Sequence, residues 1–392
     1  MTDSITIALP RPDGTAQHHT MGPAREFPTP AAPFTQRHVY AAPHVVAAPL
    51  GEYTPGLEPP VDWDATMAFR RHLWRYGIGV AEAMDTSERG PGGLTWAQTK
   101  DLIRRSSEAA TEAGGEIVCG AGTDQLDVTS PTLDDIADAY LEQLAYIQSL
   151  GRGAVLRASH ILARVASGPQ DYAYVYDRVL ERVETPALIH WIGEVFDPAL
   201  RGYWGHVDVD DALKAVVTLA ERHAERLRGF KFSLLDVERE ERLRRELPDG
   251  VTVFTGDDHD YPELLRGDGE HHSHGLLGVL DPLAPIASVA FQKLDAGDPD
   301  GFTADMESTL ALARRLFEHP AGEYKTGVVF LAYLSGHQDH FRMVTGREGM
   351  RSVDHLTDVF RQADALGLLP DPALAAQRMR AVLTVAGWDA AR

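Results

Sequence analysis

The stretch "RLRGFKFSLLDVERE" (226–240) decides how this chain is read. Phe230, Phe232, Leu234 and Leu235 mark a short buried strand, yet Lys231 sits among them. An ammonium is strongly hydrated, so a lysine in an apolar strand normally snorkels to a rim or pairs with an acid. The alternative is a lysine enclosed for its chemistry. The surroundings of the strand choose between the two.

Working outward, short apolar runs alternate with amphipathic helical stretches from about residue 39. "VYAAPHVVAAPL" (39–50) is the first candidate strand. "DWDATMAFRRHLWRYG" (62–77) follows as a helix with Asp62 as N-cap and Gly77 as stop. "IGVAEAM" (78–84), "EIVCGAG" (116–122), "GAVLRAS" (153–159) and "PALIHWIG" (186–193) are strands two to five. Helical stretches separate them, one capped by Thr95 and ended by Gly114. "FKFSLL" (230–235) is the sixth strand, "VTVFTG" (251–256) the seventh and "HGLLGVL" (274–280) the eighth. Eight such units at this spacing predict an α/β fold, a (β/α)8 barrel, over an open doubly wound sheet. No G-x-G-x-x-G turn opens a helix after the first strand, which argues against a dinucleotide site.

The expected organisation is an N-terminal arm (1–38), the barrel (39–298) and a C-terminal helical extension (299–392). In the arm, "ITIAL" (5–9) reads as an edge strand and "RPDGT" (11–15) as a turn after it. The remainder reads as an extended segment packed on a neighbouring subunit or on the outside of the barrel. "PIASVAFQKLDAG" (285–297) is expected to close the barrel as its eighth helix.

Composition narrows the partners. The 392 residues are 44% apolar, enough for a sizeable core, and carry a net charge of -21. That field repels nucleic acid, anionic membranes and polyphosphates, although an acidic chain can still hold a local cationic pocket. A single cysteine, Cys119, allows neither an intrachain disulfide nor a Cys-rich zinc site. The N-terminal stretch "MTDSITIALPRPDGT" lacks a basic and then apolar leader, and no apolar run reaches about 18 residues. The expectation is a soluble cytoplasmic protein acting on a small molecule.

Several segments, in order, resemble the dihydrodipicolinate synthase and N-acetylneuraminate lyase superfamily over roughly residues 40–295. Met84-Asp85-Thr86-Ser87-Glu88 resembles its G-T-T-G-E-like second-strand turn, and "VCGAGTDQ" (118–125) its third-strand "AGVGTN" segment. "GFKFSLLD" (229–236) is similar to the sixth strand that carries the Schiff-base lysine. "VFTGDDHDYPELL" (253–265) and "GLLGVLDPLAP" (275–285) resemble its seventh and eighth strands. The resemblance implies Lys231 as nucleophile, a covalent imine without a cofactor, and a homo-oligomer. Two positions depart: His190 stands where the family has a proton-shuttling tyrosine, and Asp85 where it has a threonine. An acidic Asp85 repels a carboxylate, so a sugar-derived keto compound fits this turn better than plain pyruvate.

Enclosure in a barrel mouth lowers a lysine's pKa, and a neutral amine attacks a ketone or aldehyde to form an imine. Strand alternation turns only one of His190 and Trp191 inward; the resemblance implies that it is His190, which is then expected to shuttle protons near neutral pH. Asp85 is expected to accept a substrate hydroxyl or to steer His190. Thr86, Arg157, Glu194, Gly256 and Asp258 are expected around the substrate, the glycine because it permits close approach to backbone. A metal-dependent barrel isomerase or lyase acting on sugars is the alternative, with His259, His271 and His274 as ligands of a divalent ion. A ligand-binding barrel without catalysis is a third reading. "HQDHF" (337–341) is a further polar cluster that would reach over the mouth.

Overall fold

The computed structural model describes residues 5–52, 54, 57–90 and 92–388. The outermost residues of the expected arm and extension, 1–4 and 389–392, lie outside the described residues. A hairpin of β1 (Thr6–Pro10) and β2 (Ala16–Thr20) comes first. The barrel follows: β3 (Val39–Ala41), β4 (Gly79–Glu82), β5 (Ile117–Ala121), β6 (Gly153–Leu156), β7 (Ala187–Ile192), β8 (Leu227–Ser233), β9 (Thr252–Thr255) and β10 (His274–Leu277). These eight strands are all parallel and close on themselves, with β10 beside β3. Each overlaps a short apolar run read from the sequence. The first is much shorter than its run. Pro43 has no N–H to extend a ladder, and Arg70 donates to the carbonyls of Pro43 and His44 instead.

The crossovers are α1 (Trp63–Arg75), α2 (Trp96–Ala113), α3 (Leu133–Ser149), α4 (His160–Val165), α5 (Pro169–Leu180), α6 (Val209–Arg222), α7 (Val237–Glu246) and α8 (Tyr261–Arg266). Asp62 caps α1 through the N–H of Ala65, and Thr95 builds a reciprocal capping box with Gln98 on α2. Gly114 ends α2 in the left-handed conformation, at φ 65°. The closing helix α9 (Leu280–Asp295) starts earlier than read from the sequence, with Pro285 inside it. Five more helices follow: α10 (Pro299–Glu307), α11 (Leu310–Leu316), α12 (Tyr324–Leu334), α13 (Val353–Ala365) and α14 (Pro372–Val385). Among the described residues no helix is long and apolar enough to cross a membrane.

The N-terminal segment packs on its own chain. Ile7 and Leu9 are buried, and β1 lies against α13 and α14. Arg380 donates to the carbonyl of Thr6 at 2.9 Å, and His19 meets the Asp364 carboxylate at 2.8 Å. Further on, the N–H groups of Thr35 and Gln36 bond Asp295 at the end of α9. The strand after the "RPDGT" turn, β2, carries only polar side chains after Ala16, so no apolar alternation marks it in the sequence.

One buried ion pair ties α1 to the barrel. Arg70 and Glu82 are both fully buried and meet through two parallel hydrogen bonds of 2.9 Å. Ser106 on α2 donates to the same carboxylate. Removing one member leaves a buried charge without its partner, which costs about 3–5 kcal/mol. Arg70→Met is expected to lose that much in urea unfolding, and Arg70→Met with Glu82→Leu to recover most of it.

Candidate active site

Side chains alternate across each strand. On β7 and β8, Trp191 and Phe232 face outward and pack edge to face at 5.4 Å. The inward set begins with a plug of Tyr40, Ala81, Val118, Val155, Leu188, Phe254 and Leu276. Two residues further along these strands, on the same side, stand His190 after Leu188, Arg157 after Val155 and Gly256 after Phe254. Lys231 pairs in register with His190. This layer lies toward the strands' C-terminal ends, the face where barrels of this kind carry their chemistry.

Lys231 is 6% exposed. Burial lowers its pKa, Asp85 and Asp258 oppose the shift, and Arg157 adds to it. A Cβ at Gly256 would fall 2.1 Å from Ser233 Oγ and 3.0 Å from Lys231 Cε. The absence of a side chain at Gly256 therefore makes room first for the Ser233 hydroxyl and then for the Lys231 chain.

His190 is buried, with Nε2 3.1 Å from Ser233 Oγ. Burial, followed by the charge of Lys231, pushes its pKa well below the ordinary value. It is a neutral imidazole at neutral pH, not the group titrating near pH 7 that was expected.

The two carboxyl groups of the site are driven apart. Burial raises Asp258 to about 8, although the N–H of Val279 bonds it at 2.9 Å and Lys231 pulls the other way. It is a carboxylic acid at neutral pH. Burial also opposes ionisation of Asp85, but Lys325, Lys231, His190 and Arg157 together hold it below the usual carboxylate range. Divergent carboxyl groups of this kind mark acid and base assignments.

Tyr324 and Lys325, at the start of α12, were missed from the sequence. Tyr324 donates to Asp85 Oδ2 at 3.1 Å, pairs with the hydroxyl of Thr86, and stacks on Phe317 at 4.3 Å. It crosses over Gly278, where a Cβ would lie 2.8 Å from the tyrosine ring. Burial and then Asp85 keep its phenol protonated. Thr86 is thus turned toward Tyr324. The sequence signal is a polar pair, "YK", at the start of a helix that continues as the apolar run "VVFLAYL" (328–334).

A cavity of about 400 Å3 opens beside His190 and Arg157 of this layer, with Lys231 and Asp258 buried behind its lining. Asp85, Arg157 and His190 line it from the barrel, and Gly322, Glu323, Lys325, Met343, Thr345 and Arg347 from the extension. Thr345 donates to Glu88 at 2.5 Å, which holds the second segment against the turn after β4.

Four expected residues stand elsewhere. Glu194 is exposed and pairs with Arg201 at 3.3 Å, outside the cavity. His259 follows β9 but turns its ring to the carbonyl of Phe317 at 3.4 Å. His271 and His274 precede or begin β10, so they lie at the opposite end of the barrel. There His274 packs on His38 at 5.0 Å, and His271 is exposed. Among the described residues no three His, Cys, Asp or Glu gather as a metal cage. The expected metal ligands therefore do not form a set. "HQDHF" packs beside α1 instead of over the mouth: Gln338 bonds His44 at 2.9 Å and His337 sits 4.2 Å from His72.

The comparisons agree with this architecture. No curated protein matches the sequence significantly. Dihydrodipicolinate synthase from Thermotoga maritima superposes with a TM-score of 0.63 at 15% identity, over 85% of this chain and 99% of the synthase. That from Bacillus clausii gives 0.62 at 14% identity, over 84% and 98%. That from Aquifex aeolicus gives 0.58 at 14% identity, over 90% and 98%. The resemblance read from the sequence is borne out at the level of the fold. A family model described as "Protein of unknown function (DUF993)" matches residues 7–388. The chain belongs to this DUF993 family, built on the barrel fold of the dihydrodipicolinate synthases.

Proposed function

We propose that the protein is an imine-forming aldolase or lyase acting on a small keto compound, with Lys231 as nucleophile. The observation that carries this reading is the buried amine of Lys231, in register with His190 at the C-terminal end of the barrel, its pKa lowered by burial and influenced by Asp85 and Asp258. Dihydrodipicolinate synthases share the fold, and the resemblance read from the sequence puts Lys231 on the strand that carries their Schiff-base lysine.

In this reading the neutral amine adds to the carbonyl carbon. The resulting carbinolamine loses its hydroxyl as water, with the proton supplied by Asp258. The iminium then draws the electron pair of the neighbouring carbon–carbon bond as that bond breaks, leaving an enamine. The hydroxyl proton of the departing fragment passes to Asp85, whose carboxylate is oriented by Tyr324. Protonation of the enamine carbon and hydrolysis of the imine release the product and restore Lys231. Neutral His190 fixes Ser233 and leaves room for the iminium charge. Dehydration of the substrate would use the same iminium. Homo-oligomeric assembly is part of the proposal and is read by sedimentation.

The test is borohydride trapping. Incubation with a panel of short ketones and keto acids, followed by reduction and peptide mapping, is expected to place a single adduct on Lys231. Adducts spread over surface lysines, with Lys231 unmodified, would refute the assignment.

A further inference from the structure

The charges lining the cavity are unequally satisfied. Arg89 is held by Asp124 at 2.7 Å, His160 by Asp197 at 2.6 Å, and Arg347 by Glu323. Arg157 reaches Asp124 only at 3.7 Å, and that carboxylate is already engaged by Arg89. Lys325 has no carboxylate within ion-pair distance among the described residues. Two cations, one from the barrel and one from the extension, thus face the cavity without a close counter-ion. The acids beside them are occupied: Asp85 by Tyr324 and Glu88 by Thr345. Lys325, at the start of α12, lines the cavity from the extension beside Gly322 and Glu323, across from Arg157 on the barrel side.

We propose that the substrate carries a carboxylate or phosphate at the end remote from its carbonyl, and that Arg157 and Lys325 receive it. The idea rests on Lys231 as the imine-forming residue. A cationic pair in an otherwise strongly acidic protein concentrates anions locally, and charge-assisted contacts would fix the substrate's direction. The acid at Asp85 has the opposite effect on a carboxylate adjacent to the carbonyl. The pocket would therefore select keto compounds whose anion is distal and reject simple 2-oxo acids.

Matched probes test this. Levulinate is compared with 5-hydroxy-2-pentanone, and dihydroxyacetone phosphate with dihydroxyacetone. The concentration giving half-maximal borohydride adduct on Lys231 is measured for each. At least one anionic member is expected to label at about tenfold lower concentration than its neutral partner. The pair with the larger ratio tells carboxylate from phosphate. In Lys325→Gln the ratio should fall toward one, and in Lys325→Arg it should persist. Equal labelling within both pairs in the wild type overturns the subsite and leaves the imine reading standing. If no probe labels Lys231, the imine reading fails, and thermal shifts decide the subsite. A larger shift with an anionic probe than with its neutral partner, lost in Lys325→Gln, supports it; equal shifts overturn it.

Discussion

Lys231→Met is expected to abolish borohydride trapping and to lower turnover by about 10^4-fold or more, because no other group can replace a covalent nucleophile. The fold should survive. Methionine has similar reach, carries no charge to desolvate, and fits the space that Gly256 leaves beside the chain. Lys231 has no close ion-pair partner among the described residues, so its removal strands no carboxylate at contact distance. The melting temperature should stay level or rise, as expected where a group is kept for function at a cost in stability. A variant that retains trapping and turnover would remove the lysine from the mechanism. A variant that unfolds would be read from Lys231→Arg, which keeps the charge and lacks the nucleophile.

The second large effect belongs to Asp258. Trapping needs Lys231 neutral and Asp258 protonated, and these two groups influence each other, so the limbs of the profile belong to the pair. The rate should fall as pH passes about 8, where Asp258 ionises, while the lowered pKa of Lys231 brings its neutral form to lower pH than in a free lysine. An acid with a raised pKa is active below that value and is lost above it. Asp258→Asn keeps the hydrogen bond geometry near Val279 but cannot give up a proton. It is expected to lower the maximum by about 10^2-fold and to erase the fall above about pH 8. A pH profile unchanged in shape in Asp258→Asn would assign the proton to another group.

Much of the barrel was legible because strand and helix periods are local. Side chains on successive strand positions face opposite sides, so the sequence separates Trp191 from His190 and Phe232 from Lys231, but which of each pair faces inward rests on the family resemblance. Chain order also sets which end of the barrel a residue occupies. That rule should have excluded His271 and His274, since both come before the core of β10 rather than after it. Glu194 follows β7 at the correct end, yet its side chain leaves the cavity for Arg201. Loop direction after a strand depends on tertiary packing, which the period does not encode. Gly256 illustrates the same limit: the sequence marks a place without a Cβ but does not say which neighbour needs the room.

The sequence by itself determined the eight-fold strand–helix rhythm and the placement of Lys231 on the sixth barrel strand. These follow from backbone periodicity and from hydrophobic burial, which act over a few residues. Only the tertiary structure decided which acid is ionised, which is protonated, and which hydroxyl holds Asp85. Those depend on burial and on charges far apart in the chain, as Tyr324 and Lys325 lie more than 200 residues from Asp85. Electrostatics sums over space rather than along the sequence, so the C-terminal helices enter the site only once the chain has folded.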